Sequence, residues 1–97
     1  MNYYECHITF LYPPNALPLD VRGWKFSQID GDPNMGDGVK AYLTRQYRAT
    51  NAKDAVIDAL EDVAAEVTEM GYEVLRTKVE LVVYDNRRRA AVQEPPA

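Results

Sequence analysis

The chain has one cysteine, one histidine and one serine in 97 residues, and no apolar run near the ~20 residues that a membrane-spanning helix requires. A single cysteine, Cys6, excludes an internal disulfide, so a reducing cytoplasm is the expected compartment and no membrane association is expected. The amino end, MNYYECHITF, lacks a basic stretch followed by an apolar run and does not read as a signal peptide. The one serine, Ser27, lies in a strand-like segment without the strand-to-helix elbow of a hydrolase nucleophile. Cys6 and His7 are chain neighbours on a strand and point to opposite faces, so they are not a nucleophile–base pair. Nucleophilic catalysis thus has little support, and no cofactor is expected.

Hydrophobic residues make up 46% of the chain, enough for one domain to fold around a core without metal or disulfide staples. The organising stretch is Tyr3 to Tyr12, YYECHITFLY. Its alternation predicts a half-buried strand, with Tyr4, Cys6, Ile8 and Phe10 on the core side and Glu5, His7 and Thr9 on the other. The link PPNALPLDVRG, residues 13–23, carries three prolines and predicts an irregular connection with one helical turn around Leu19 to Arg22. WKFSQID, residues 24–30, predicts a second strand with Trp24, Phe26 and Gln28 on one face and Lys25, Ser27 and Ile29 on the other. A turn-forming loop over 31–38 should join it, as a long hairpin, to a third strand from Val39 to Tyr47. In that strand Val39, Ala41 and Leu43 face inward.

Ala52 to Met70 predicts the one long helix. Val56, Leu60, Val63, Val67 and Met70 form an apolar stripe, Asn51 is the expected N-cap with Asp54 three residues on, and Gly71 is the expected left-handed terminator. The last strand, about Glu73 to Asp85, has an apolar row of Leu75, Thr77, Val79, Leu81 and Val83 that belongs under the helix. The opposite row holds Val74, Arg76, Lys78, Glu80, Val82 and Tyr84. Residues 87–97, with Arg87, Arg88, Arg89 and two prolines, lack periodicity and read as a flexible tail after a single domain over 1–86. The fold class is therefore α+β. The expected form is a ferredoxin-like sandwich with a reduced first helix, a four-stranded, mostly antiparallel sheet covered on one face by one long helix. The third strand should reach the fourth by a right-handed crossover. An antiparallel meander of the first three strands is the competing topology.

The net charge of −4 conceals a segregation. Residues 52–70 hold six acids and one base, so the rest of the chain sums to +1. The uncovered sheet face collects Glu5, His7, Lys40, Tyr42, Arg76, Lys78 and Glu80, a basic-leaning set suited to an anionic ligand or a dimer interface. The helix offers Asp58, Glu61, Asp62 and Glu69 as a surface for a basic protein partner. For each set the bland reading is a solvated face with ion pairs worth little individually. The tail arginines could hold a phosphate backbone, but a pI near 4.9 disfavours nucleic acid or a nucleotide as the partner.

Two motifs are more specific. Asp30, Asp32, Asn34 and Asp37 begin like a calcium loop, but Met35 stands where glycine is needed and Ala41 where the bidentate glutamate is needed, so no metal site is assigned. His7-Ile8-Thr9 places an imidazole and a hydroxyl on one face of one strand and resembles one of the two His-x-Thr/Ser motifs of the 2H phosphoesterases. That family uses two such histidines as acid and base. This chain has no second histidine, so only a homodimer pairing two copies of His7 and Thr9 could rebuild the arrangement. Otherwise His7 is a structural histidine bonded to Glu5 or Glu80. Over nearly its whole length the order ECHIT, WKFSQIDGDP, GVKAYLTR and KVELVVYD is similar to small uncharacterised phage and bacterial proteins. The resemblance implies an accessory, phage-encoded role and assigns no catalytic residue. These readings together favour a non-enzymatic binding protein, a homo-oligomer acting through the open sheet face or the acidic helix to inhibit or modulate a host protein. A phosphoesterase-like or nucleotide-binding homodimer is the alternative.

Overall fold

The computed structural model describes residues 2–14, 16–28 and 39–83. Its elements are β1 (Tyr3–Tyr12), β2 (Lys25–Gln28), β3 (Val39–Arg48), α1 (Lys53–Glu69) and β4 (Val74–Val82). The four strands form one sheet in the order β2-β3-β1-β4, with every neighbouring pair antiparallel. β1 lies between β3 and β4 rather than beside β2, which excludes the meander and gives the strand order of a ferredoxin-like sheet. α1 connects β3 to β4 across the single face on which it packs, lying against β1 and β4.

β1 is central because it is the strand whose alternation is strictest. Tyr4, Cys6, Ile8, Phe10 and Tyr12 are all buried, and the residues between them are half-buried on the opposite face. Full burial of Ile8 and Phe10 contributes about 1.5–3 kcal/mol each. Opposite them on β3, Leu43 and Ala41 are equally buried. From the helix come Val56, Leu60, Ala64 and Val67. Phe10, Tyr12, Phe26 and Tyr72 form an aromatic group at one end of this core, with ring centroids 4.9–6.3 Å apart.

Among the described residues of the link 13–24 there is no helix, so the helical turn expected around Leu19 to Arg22 is not formed. The chain instead bends at Arg22–Gly23, with Gly23 at φ +84° and the Trp24 N–H donating to the Val21 carbonyl at 2.9 Å. Pro18 works against helix here, and the irregular backbone lets Ala16, Leu19, Val21 and Trp24 pack on the core. The Tyr12 hydroxyl fastens the link by donating to the Leu17 carbonyl at 2.6 Å. This segment takes the place of a first helix.

The helix departs from its sequence reading at both ends. Ala52 occupies the N-cap position without a side-chain cap. Asn51 instead donates its Nδ2–H to the Arg48 carbonyl at 2.9 Å, closing the turn that leaves β3. Gly71 is the expected left-handed residue at φ +96°, and the Gly71 and Tyr72 N–H groups donate to Thr68 and Val67, the paired bonds of a Schellman stop. Met70 lies at this stop and is 48% exposed, while Ala64 takes the fourth buried position on the stripe.

β4 contains the main correction. Thr9 pairs with Arg76 but Phe10 pairs with Val74, so Leu75 is an extra residue at a β-bulge. The bulge turns Val74 onto the core side and leaves Leu75 41% exposed. Thr77 and Val79 remain half-buried on the helix-covered side, whereas Leu81 and Val83 are 52% and 62% exposed. Among the described residues β4 is an edge strand with a neighbour on one side only, and none of them gives its end the cover that the apolar pattern implied. Ile29, Asp30, the 31–38 loop with the other calcium-like residues, Tyr84 and the arginine tail lie outside the described residues.

Candidate functional site

The antiparallel register aligns the uncovered face into rows that cross the sheet. One row runs Lys25, Thr44, His7, Lys78; the next runs Ser27, Tyr42, Thr9, Arg76. These two rows hold three cations, an imidazole and four hydroxyls, and no carboxylate. A third row, Gln46, Glu5, Glu80, supplies the acids. Counting all described strand residues of this face gives five basic side chains (Lys25, Lys40, Arg48, Arg76, Lys78) against two acidic ones. The helix on the other side carries six acids and one base. The charge segregation read from sequence is thus a separation between opposite faces of the molecule.

At the centre of the open face His7, Thr9, Tyr42, Arg76 and Lys78 line a concavity of 180 Å³. All five side chains come from directly paired positions, Thr9 standing between Tyr42 and Arg76, and His7 opposite Lys78. The bulge at Leu75 matters here: it adjusts β4 to the core at Val74 while keeping Arg76 and Lys78 on the open side. The volume is below the roughly 300–1,000 Å³ of sites that enclose drug-sized ligands. It suits one compact polar group. A larger hollow of 930 Å³, at the Tyr3–Arg48 end, is lined by Asn2, Tyr3, Gln46, Tyr47, Arg48, Ala49 and Thr50. Arg48 is its one charged residue, and it lacks the converging cations and hydroxyls of the smaller site.

His7 is held from both ring nitrogens. With the proton on Nε2, the ring donates to Glu5 Oε1 at 2.9 Å and Nδ1 accepts from the Thr44 hydroxyl at 3.4 Å. Gln46 donates to the other Glu5 oxygen at 3.4 Å. Of the two carboxylates expected to bond His7, Glu5 is the partner. Glu80 pairs with Lys78 at 2.9 Å, and the Lys78 hydrogen bond holds its carboxyl below the usual range. Cys6 is fully buried on the opposite face beside the core, and burial pushes its thiol up, as a packing residue requires.

The sequence-derived ligand set is therefore divided. His7, Tyr42, Arg76 and Lys78 converge, and Thr9 joins them; Glu5 and Glu80 stand one row away; Lys40 sits opposite Leu11, outside the concavity. Asp58, Glu61, Asp62 and Glu69 are exposed along α1, and Glu61 accepts from the Thr77 hydroxyl at 3.3 Å across to β4. Thr44, Gln46 and Lys25 were not singled out in sequence as site residues, although outward parity placed them on this face. Their neighbours in the rows depend on register, which local patterning does not carry. No protein-family model, curated protein or solved structure matches the chain.

Proposed function

We propose that this is a binding protein whose open sheet face takes the phosphate or similar anionic group of a ligand. The observation that carries the reading is the 180 Å³ concavity walled by His7, Thr9, Tyr42, Arg76 and Lys78. An anion of phosphate size needs several donors and compensating charge, and this wall offers a guanidinium, an ammonium, two hydroxyls and an imidazole. Arg76 supplies the planar fork that binds two phosphate oxygens together, whereas Lys78 contributes a point charge already shared with Glu80. The acidic helix on the far side of the sheet leaves the open face as the side for anions, and in this reading the protein acts as an accessory binder of a host component. Isothermal titration with pyrophosphate, in the presence of a chelator to remove divalent metals, tests the proposal. Wild type should bind at low ionic strength, and Arg76→Gln should weaken binding about tenfold or more, the scale of one charge-assisted hydrogen-bonding contact. Equal affinity in wild type and Arg76→Gln would sink it.

The placement of His7 beside Thr9 on this wall favours one second reading, a phosphoesterase-like homodimer with a histidine from each copy. Turnover of a 2′,3′-cyclic phosphate that is lost in His7→Ala supports that version, and a strictly monomeric protein removes it.

A further inference from the structure

The register sets two carboxylates directly opposite each other: Glu5 on β1 pairs with Glu80 on β4. Like charges at directly opposed positions on neighbouring strands destabilise a sheet, and the sequence does not avoid the conflict. On the same face, two residues along β1, lies the chain's one imidazole. Glu5, His7 and Glu80 present one ligating atom each, a carboxylate oxygen, an imidazole nitrogen and a second carboxylate oxygen, all within 4.8 Å of one another. The set is thus a mixed nitrogen–oxygen donor group on two rigid, adjacent strands, not a cluster of acids alone.

We propose that Glu5, His7 and Glu80 form a three-ligand site for a divalent metal of the zinc class. Imidazole with two carboxylates is a donor set suited to zinc, while magnesium and calcium favour oxygen alone. Bonds of about 2.0–2.2 Å in tetrahedral geometry place ligand atoms roughly 3.4 Å apart, so side-chain rotations that change the separations by up to about 1.4 Å close the site. Supporting contacts of the kind that orient metal ligands are already in place. Thr44 lies 3.4 Å from His7 Nδ1, ready to accept its proton once Nε2 gives its lone pair to the metal. Gln46 holds the distal oxygen of Glu5 at 3.4 Å. Lys78 sits 2.9 Å from Glu80 Oε1 and would give up this pairing if that oxygen turned to the metal. The metal also relieves the opposition of Glu5 and Glu80.

Three protein ligands leave a coordination position open, and His7 belongs both to this site and to the wall of the anion concavity. A metal here adds positive charge at the edge of that concavity and offers a direct bond to one ligand oxygen. That consequence rests on the anion-binding reading; metal binding itself does not, and its test contains no phosphate.

The experiment is titration of chelator-stripped full chain with Zn²⁺ alone, followed by calorimetry and by the imidazole ¹⁵N resonances. With one histidine in the chain, these resonances report on His7 without ambiguity. One equivalent of Zn²⁺ should bind and move the Nε2 resonance, with Nδ1 carrying the proton. Glu80→Gln should lower affinity by at least about tenfold, the scale on which even outer partners of metal ligands act. Asp54→Asn, on the acidic helix and remote from the site, should bind as wild type. An imidazole spectrum unmoved by excess Zn²⁺, or Glu80→Gln binding as tightly as wild type, overturns the proposal. Failure here with chelator-resistant pyrophosphate binding intact removes the metal and leaves the anion site.

Discussion

Cys6 and Glu80 lie on opposite faces of the sheet and report opposite environments. Cys6 is fully buried among Tyr4, Ile8 and Phe10, and burial pushes its thiol up, so the native protein should resist thiol reagents and become reactive on unfolding. Rapid labelling of the native thiol, relative to a denatured control, would contradict the packing described for β1. Glu80 is exposed, and its lowered carboxyl is set first by the hydrogen bond from Lys78. Lys78→Met should therefore raise the Glu80 titration midpoint followed by NMR toward the ordinary glutamate range, and no change would show the pair to be absent in solution. A carboxyl depressed in the folded state, as at Glu80, stabilises above its unfolded pKa, and that contribution is lost as pH falls through the folded value. Exposure keeps the effect small. Residue identities on β1 were legible in sequence because burial on one side forces strict alternation. The partners of those residues were not, since Glu5 meets Glu80 only after two distant segments have paired in register.

At the scale of elements, the helix stop and the β4 bulge behave differently as signals. Gly71 was readable because a positive φ at a helix end is a local demand. A Cβ at this position meets nothing within 4 Å, so Gly71→Ala costs only backbone strain, about 1 kcal/mol or somewhat more, measured by chemical denaturation. A neutral substitution there would show that the Schellman stop is not formed. The N-cap reading failed because Asn51 spends its amide on Arg48, a choice made by the turn after β3. The bulge left no local mark either. VLRTKVELV alternates from Leu75 to Leu81, and the need to bring Val74 over Phe10 while retaining Arg76 opposite Thr9 makes Leu75 the extra residue. Deleting Leu75 should force β4 to choose between its core contact at Val74 and its open-face pairs. Loss of thermal stability is the expected result, and unchanged stability would mean that the bulge is incidental.

On the scale of the whole molecule, a proline-rich link stands where a ferredoxin-like fold carries its first helix, and α1 is the one helix of the described residues. Both cover the same side of the sheet, with Trp24, Leu19 and Val21 from the link sharing a core with Val56, Leu60 and Val67 from the helix. The consequence is an open face across all four strands, and with it the separation of a basic sheet from an acidic helix. Composition showed that the charge was uneven, and strand parity showed which side it took. What composition could not show was the convergence of Arg76, Lys78, Thr9, Tyr42 and His7 on one 180 Å³ concavity, which depends on register and on the bulge together. Chemical-shift mapping with pyrophosphate in the presence of chelator tests this account most directly. Perturbations confined to the open-face rows around Thr9, Tyr42, Arg76 and Lys78, weakening as salt is added, are the predicted result. Perturbations centred on α1, or none at all at low ionic strength, would contradict it.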